Sequence, residues 1–171
     1  MRSPSLRNRA VLAAAPVLAF ALGLVGMAVD EANHSGAVSS LQMRMESYVY
    51  TVLAVMEVDA AGRLGMDEAF PDPRLQQPGS GWYVQVQGGD QNWRSASSLG
   101  IDLPGQAQVA AGESAWAEPG EGRSLYTWQY GVGWQLADGS IAPFTVSVMV
   151  EPAELEQQTS AFRGSLWRSL G

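Results

Sequence analysis

The feature that most constrains this chain is an uncharged run of nineteen residues near its N-terminus, from Val11 to Val29. As a helix rising about 1.5 Å per residue, the run is roughly 28 Å long, close to the hydrocarbon thickness of a bilayer. Three arginines precede it, and Asp30 and Glu31 follow it directly. Because positive charges favour the cytoplasmic side, we predict a cytoplasmic N-terminus at 1–10, a transmembrane helix at 11–29 and an extracytoplasmic domain at 30–171.

A cleaved signal peptide is the alternative, because Gly26, Met27 and Ala28 form a small-x-small cleavage pattern. The apolar core of a signal peptide usually has about 7–15 residues. Since the run here is longer, an uncleaved membrane anchor is the preferred interpretation.

Composition and charge exclude several classes of site and partner. The chain has no cysteine, which rules out disulfides, iron–sulfur clusters, thiolate zinc sites and cysteine nucleophiles. Residues 30–171 hold seven arginines and all seventeen acids, a net charge of about −10. A domain this acidic repels nucleic acid, so we expect no nucleic-acid partner, and it repels an anionic bilayer unless cations intervene.

Apolar residues spaced three or four apart predict an amphipathic helix from Ala32 to about Glu57, which we expect to continue the membrane helix outward. Glycines and prolines then predict a long connection over residues 60–81. The apolar stripe of the helix consists of Val38, Leu41, Met45, Tyr48/Val49, Val52 and Val55/Met56.

Alternating side chains after residue 81 predict an antiparallel sheet with one buried face. A strand over 82–87 turns at Gly88-Gly89 or Gly89-Asp90, a short strand lies within 113–119, and strands over 126–136 and 144–150 are joined at Asp138-Gly139. A final helix begins at Pro152. The fold class is therefore α+β, with a transmembrane helix, a long helix, an antiparallel sheet and a C-terminal helix with the stripe Leu155, Thr159, Phe162, Leu166 and Leu170.

The ordered segments PDPRLQQPGSGWYVQVQ, WRSASSLGIDLP, YGVGWQLADG, PFTVSVMVE and FRGSLW resemble the extracytoplasmic sensor region of PhoQ-like two-component histidine kinases. The resemblance covers roughly residues 10–171. It implies an inner-membrane protein with a periplasmic sensor domain, related to PAS and PDC domains, between two membrane helices. In that family the first long helix tends to pair in a homodimer, and the last helix passes the signal into the second membrane span.

The sequence departs from the family pattern in two ways. It stops at Gly171, where the second span is expected, so we interpret the chain as a fragment or a truncated product. The kinase core, and through it the response regulator, would be reached only through the missing C-terminal part. The dense acidic run that the family's name-giving member turns toward the membrane is also absent, so cation sensing does not carry over directly.

A dimer contact is predicted on the long helix. A stripe formed by Leu41, Met45, Tyr48 and Val52 is wide enough to contact a partner helix and the sheet together. Packing of the same stripe on the chain's own sheet alone is an equally good interpretation.

A divalent-cation site is predicted at the start of the final helix. Glu151 and Glu154 share a face at the start of the final helix, and Glu156 lies near the same end. Mg²⁺ takes about six oxygen ligands and Ca²⁺ six to eight, so waters or lipid phosphates would have to complete the shell. The alternative, which ranks first, is that these glutamates only complement the helix dipole. We expect no other cofactor.

Candidate catalytic groups carry little weight. His34 is the only histidine and cannot align with the adjacent Ser35 on a helix; titration as a pH sensor is a weak alternative. Carboxylate pairs such as Glu113/Glu118 and Asp138/Glu151 are expected by chance among seventeen acids. We therefore predict no catalytic site in this chain, although the full-length parent would be a protein histidine kinase.

The tryptophans leave one alternative function open. Trp82, Trp128 and Trp134 alternate in phase with valines and are predicted to be core residues. Trp93 and Trp116 are assignable either to the core or to a binding surface. Stacking of such rings on sugars would make the chain an anchored or secreted glycan-binding module, and a degraded hydrolase is a further alternative.

Overall fold

The computed structural model describes residues 6–66, 72–120, 122 and 124–155, with side chains for all of these except residues 6–15, 30, 33 and 34. A long helix, α1 (Leu6–Val55), opens the described part, and residues 152–155 at its end are helical. Two 3-10 helices lie between, at Pro73–Leu75 and Ala96–Ser98. The described strands are β1 (Met56–Val58), β2 (Leu64–Met66), β3 (Trp82–Gly88), β4 (Gln91–Arg94), β5 (Ser114–Ala117), β6 (Tyr126–Gln135) and β7 (Ile141–Val150).

The chain divides into two compact units, Met1–Ser39 and Ser40–Gly171. The first unit consists of the N-terminal part of α1. Among the side chains that the structure describes, no helix combines the length and the apolarity needed to cross a membrane. The large apolar side chains over residues 17–29 are 52–72% exposed, and they are Val17, Leu18, Phe20, Leu22, Leu24, Val25, Met27 and Val29.

In the second unit, the rest of α1 has the apolar stripe that the sequence predicts. Leu41, Met45, Val49 and Val52 are each at most 1% exposed. The helix ends at Val55 rather than near Glu57, because the next residues form a small hairpin of β1 and β2. The sequence pattern does not predict this hairpin, since strands of three residues show too little alternation to be recognised.

The predicted antiparallel sheet is confirmed. Its strand order is β4-β3-β7-β6-β5, and every neighbouring pair is antiparallel. The turn between β3 and β4 is Gly89-Asp90, one of the two predicted, because Gly88 pairs with Gln91 and Gly89 has a φ of 55°. β6 and β7 pair over ten residues, which makes them the longest ladder in the described sheet.

One face of the sheet packs on α1. Trp82, Val84 and Val86 of β3 lie beside Val148 of β7 on this face, and all have no exposed surface. Tyr48 of α1 contacts Trp82, with ring centroids 4.8 Å apart. We call this the helix face.

The prediction of a single buried face is wrong, because the opposite face is buried as well. Tyr83 and Met149 pack there with Leu103 and Leu125. Gln85, Thr145 and Ser147 on this face are also at most 1% exposed, although their polarity suggested a solvent-facing side. Residues 95–113 cover them, and the sequence pattern did not predict this cover. We call this the loop face.

The covering segment is held by hydrogen bonds to the strands below it. The Val109 amide donates to Thr145 Oγ1 at 3.0 Å, and Gln129 Nε2 donates to the carbonyl of Ala107 at 3.0 Å. At Gly131 the segment comes so close that an added Cβ would lie 2.1 Å from the Ala110 carbonyl oxygen. The covering segment therefore supplies partners for Thr145 and Gln129, whereas Gln85 Nε2 donates to Asn92 of β4 and Ser147 accepts from Gln129 of β6.

Candidate coupling site

Four segments of the second unit meet at the start of β3. Tyr48 comes from α1, Asp72 and Arg74 from the first 3-10 helix, Trp82 from β3, and Glu154 from the helical residues 152–155. We call these five residues the junction. They join the helix that arrives from the N-terminal side to the segment that leaves toward the C-terminus.

Aromatic and cation–π contacts hold the centre of the junction. Trp82 has no exposed surface, and its ring is tilted by 30° against the ring of Tyr48. The guanidinium carbon of Arg74 lies 4.8 Å from the ring centroid of Trp82 and 5.8 Å from that of Tyr48. A guanidinium within about 6 Å of a ring face is attracted by the ring quadrupole, so Arg74 links the two aromatic side chains.

Asp72 fixes the position of Arg74. As the N-cap of the 3-10 helix, Asp72 accepts the Arg74 backbone N–H at 2.8 Å, and its other oxygen lies 2.9 Å from Arg74 Nη2. The Arg74 side-chain hydrogen bonds hold the pKa of the Asp72 carboxyl below its usual value, although partial burial opposes them. The hydroxyl of Tyr48 donates to this carboxylate and accepts from Arg74. Asp72 therefore stays ionised and balances the guanidinium beside the rings.

Hydrogen bonds attach the start of the C-terminal segment to the start of β3. Trp82 Nε1 donates to Glu154 Oε2 at 3.2 Å, and the hydroxyl of Tyr83 donates to Glu151. The backbone N–H of Glu151 donates to the carbonyl of Gly81 at 2.9 Å. Burial, followed by the hydrogen bond and the charge of Glu151, raises the pKa of Tyr83 to about 12.

The contacts of the junction allow mechanical coupling between α1 and the segment after β7. A displacement of α1 at Tyr48 moves a ring that is packed on Trp82, and Trp82 is bonded to Glu154. The partners are close-packed, and packed interiors transmit strain rather than absorb it. The junction is therefore suited to pass a small movement between α1 and the segment after β7.

The glutamates predicted to bind a cation have other partners in the structure. Glu151 accepts from Tyr83, Glu154 accepts from Trp82, and Glu156 lies outside the described residues. Within the described part of the chain, no cluster of three or more acidic or histidine residues is suited to hold a metal. Cation binding at the three glutamates stays a prediction, and it would compete with the two hydrogen bonds.

The residues predicted to form a dimer contact lie inside the chain. Leu41, Met45 and Val52 are buried in the helix face, and Tyr48 belongs to the junction. The alternative interpretation, in which the stripe packs on the chain's own sheet, agrees with the observed positions of these side chains. Pairing of α1 stays a prediction, but these side chains are occupied.

The burial of the tryptophans differs in part from the prediction. Trp82 is fully buried and Trp128 is 9% exposed, but Trp134 is half-buried rather than a core residue. Trp93 on β4 and Trp116 on β5 are also half-buried, and Trp116 stacks on Tyr126 with centroids 5.7 Å apart.

The weak catalytic candidates are not brought together. Asp138 and Glu151 lie beyond opposite ends of the ten-residue strand β7, roughly 33 Å apart at the usual rise per residue. Glu113 and Glu118 flank β5, roughly 17 Å apart by the same rise, whereas paired glycosidase carboxyls lie about 5–9.5 Å apart. The side chain of His34 and the stripe from Thr159 to Leu170 lie outside what the structure describes.

Sequence reasoning missed Asp72 and Arg74, because they lie in a stretch interpreted as an irregular connection. A local signal was present: Asp72 followed by Pro73 is the typical start of a short helix, with an N-cap acceptor and proline in the first turn. No protein-family model, curated protein or solved structure matches this chain. A functional assignment therefore depends mainly on the geometry of the junction.

Proposed function

We propose that this chain is the extracytoplasmic sensor region of a membrane two-component sensor histidine kinase. Residues 11–29 anchor it in the inner membrane, and residues 30–171 form a periplasmic domain related to PAS and PDC domains. The observation that carries the proposal is the junction, because Trp82 contacts α1 on one side and the C-terminal segment on the other. A sensor needs this kind of link between its incoming and outgoing helices.

The exposed apolar helix in the first unit supports the membrane anchor. Its eight large apolar side chains between Val17 and Val29 are all more than half exposed. Successive helix residues are about 100° apart, so these side chains span roughly 220° of the helix circumference, and the remaining arc holds the uncharged small residues Ala19, Gly23 and Gly26. A helix that is apolar all round is stable where its surroundings are apolar, as in a bilayer.

The topology of the sheet supports the proposed signal path. β3 and β7 are neighbours, and Trp82 at the start of β3 pairs with Val150 at the end of β7. The chain therefore enters β3 and leaves β7 at the same end of this strand pair. A displacement of α1 would thus occur close to the segment that would lead to the second membrane span.

Pairing in a homodimer requires a side of α1 that is still accessible. Exposed positions of α1 alternate at spacings of three and four residues, which is the repeat of a coiled-coil seam. Tyr50 lies at the border of this surface, because its ring also contacts Tyr130 of β6 with centroids 6.4 Å apart. Met43 and Tyr50 are 65% and 57% exposed. We propose that the seam formed by Ser40, Met43, Ser47, Tyr50 and Ala54 contacts the partner helix.

Single cysteines test this contact without background, since the chain has none of its own. Met43→Cys and Tyr50→Cys in membranes are expected to crosslink efficiently, whereas Leu41→Cys and Met45→Cys are expected to crosslink poorly. The reverse order would show that the buried stripe, and not the exposed seam, forms the dimer.

Two experiments test the proposed function. The protein is expected to fractionate with the inner membrane and to retain Met1 or Arg2; a soluble periplasmic product starting at Val29 contradicts the anchor. The coding sequence beyond Gly171 is expected to encode a second apolar span and a kinase core. In that full-length parent, Trp82→Phe is expected to change autophosphorylation while Trp134→Phe leaves it unchanged. A stop codon directly after Gly171 would contradict the kinase assignment.

The half-buried tryptophans give little support to a glycan-binding module. Trp93 lies on β4 and Trp116 on β5, which are the two edge strands of the five-stranded sheet. Four strand spacings of about 4.8 Å separate these edges, so the two rings are roughly 19 Å apart across the sheet. They do not form one platform for adjacent sugar rings.

A further inference from the structure

A groove beside the edge strand β4 contains none of the five junction residues, although Leu75 in its wall belongs to the same 3-10 helix as Arg74. It has a volume of about 630 Å³ and opens between β2, the end of β4 and the second 3-10 helix. This volume is within the range of small-molecule sites, about 300–1,000 Å³. We call it the β4 groove, and its apolar wall is formed by Met66, Leu75, Trp93, Leu99 and Ile101.

The groove is apolar but also contains a cation. Arg94 lines it and is exposed. Arg63 and Arg74 form ion pairs with Asp59 and Asp72, but Arg94 has no ion pair with any residue that the structure describes. In a domain with a net charge of about −10, an exposed arginine that has no ion pair among the described residues is a local exception that favours an anionic group.

The backbone of β4 adds a donor at the same residue. The Ser95 N–H donates to the Val84 carbonyl at 2.9 Å. Because hydrogen-bonded and non-hydrogen-bonded pairs alternate along antiparallel strands, the N–H of Arg94 points away from β3. Within the described residues nothing accepts it. A carboxylate at the rim of the groove would therefore find a guanidinium and a backbone N–H on one residue.

We propose that the β4 groove binds an amphiphilic monocarboxylate, with its carboxylate at Arg94 and its apolar chain against Trp93, Leu99 and Ile101. Leu99 is 67% exposed and would be covered by the chain of the ligand. An extended peptide fits less well, because β4 has four residues and only Asn92 and Arg94 direct backbone groups outward. The role of this ligand as the stimulus of a kinase rests on the proposed sensor function. Its binding to the β4 groove does not depend on that function.

Octanoate is a suitable probe, with octanamide as its uncharged counterpart. In the full chain in nanodiscs, octanoate is expected to shift the NMR signal of the Trp93 indole N–H in a saturable way. Arg94→Gln is expected to weaken octanoate binding about tenfold, since it removes the charge-assisted bonds. The same variant is expected to leave the weaker binding of octanamide unchanged. Arg63→Gln, which also removes an exposed guanidinium, is the matched control and is expected to bind octanoate like the wild type.

Three results would overturn the assignment of the groove: no saturable shift, equal affinities for octanoate and octanamide, or undiminished octanoate binding in Arg94→Gln. These results leave the sensor function untouched. If octanoate binds as expected but leaves autophosphorylation of the full-length parent unchanged, the groove assignment stands and octanoate is not its stimulus.

Discussion

On the helix face of the sheet, β3 and β7 present tryptophan, valine and phenylalanine to α1, whereas on the loop face the same strands present Gln85, Thr145 and Ser147 to residues 95–113. Both sets are at most 1% exposed. On β3 and β7, the side chains of the helix face have no polar group to satisfy apart from the Trp82 N–H, so these strands need only shape and apolar area there. The loop face needs a specific partner for each buried donor and acceptor, because an unpaired polar group in the interior is costly.

The difference teaches that one sheet can be closed by two separate kinds of interaction. A helix covers its face through a repeating stripe, so the loss of one contact leaves the others in place. The covering segment of the loop face is irregular and depends on single bonds, such as Val109 N–H to Thr145 Oγ1. Gln85 Oε1 has no partner among the described residues, so the loop face also contains a polar atom that is not satisfied there.

The largest expected effect comes from adding one methyl group to each face. At Gly131 on the loop face, a Cβ would meet the Ala110 backbone oxygen at 2.1 Å, so Gly131→Ala has to displace the covering segment. At Gly88 on the helix face, a Cβ would meet the Phe144 ring at 2.1 Å, and a side chain moves more easily than backbone. Urea unfolding of the full chain is expected to show a loss of about 3 kcal/mol or more for Gly131→Ala and about 1–3 kcal/mol for Gly88→Ala.

Gly105→Ala is the control for this pair, since nothing lies within 4 Å of its added Cβ. It is expected to change the free energy of unfolding by less than about 0.5 kcal/mol. If Gly131→Ala is as mild as Gly105→Ala, the covering segment is not packed on β6 as described.

The helix face was largely predictable from the sequence, and the loop face was not. Leu41, Met45 and Val52 repeat with the helical period, and the valines of β7 alternate, so local pattern alone indicated their burial. Thr145 and Ser147 are polar, and they are covered by a segment that bonds through Val109 and Ala107, whose place no periodicity reveals. The junction is non-local in the same way, since Trp82 and Glu154 are 72 residues apart.

Trp82 and Tyr83 allow the two faces to be compared at one point. They are neighbours in sequence on opposite faces of the sheet, and each donates a hydrogen bond to the C-terminal segment. Trp82→Phe removes the N–H that bonds Glu154, shrinks a fully buried side chain and weakens the contact with Arg74. A loss of about 2 kcal/mol is expected in urea unfolding, with faster hydrogen exchange at residues 151–155. Trp134→Phe, at a half-buried ring, is the matched control, and equal effects of the two variants would remove Trp82 from its central role.

An exchange of neighbouring side chains separates the two kinds of burial. Thr145 faces the loop and Val146 faces the helix, and valine and threonine have nearly the same shape. Thr145→Val leaves the Val109 N–H without its acceptor, and Val146→Thr places a hydroxyl in the apolar helix face. Each is expected to cost about 1–2 kcal/mol. Hydrogen exchange of the Val109 amide distinguishes them, because it is expected to accelerate in Thr145→Val alone. Acceleration in both variants would mean that the covering segment opens whenever the sheet is destabilised.

The smallest effect at neutral pH is expected for Tyr83→Phe, which removes only the hydroxyl that donates to Glu151. The loss is expected to be about 1 kcal/mol, the usual net value of such a bond. A distinct signature appears at high pH, because the folded state raises the pKa of Tyr83 from 10.0 to about 12. This contribution is complete below pH 10, where the hydroxyl is protonated in both the folded and unfolded states. Above pH 10 the unfolded chain releases the proton while the folded one retains it, so the contribution falls until the pH passes about 12. The urea midpoint of the wild type is therefore expected to fall to that of Tyr83→Phe or below it between pH 10 and 12, measured against Tyr50→Phe, whose ring is exposed. A constant difference between wild type and Tyr83→Phe across this interval would show that neither burial nor Glu151 raises the pKa of Tyr83 in the folded state.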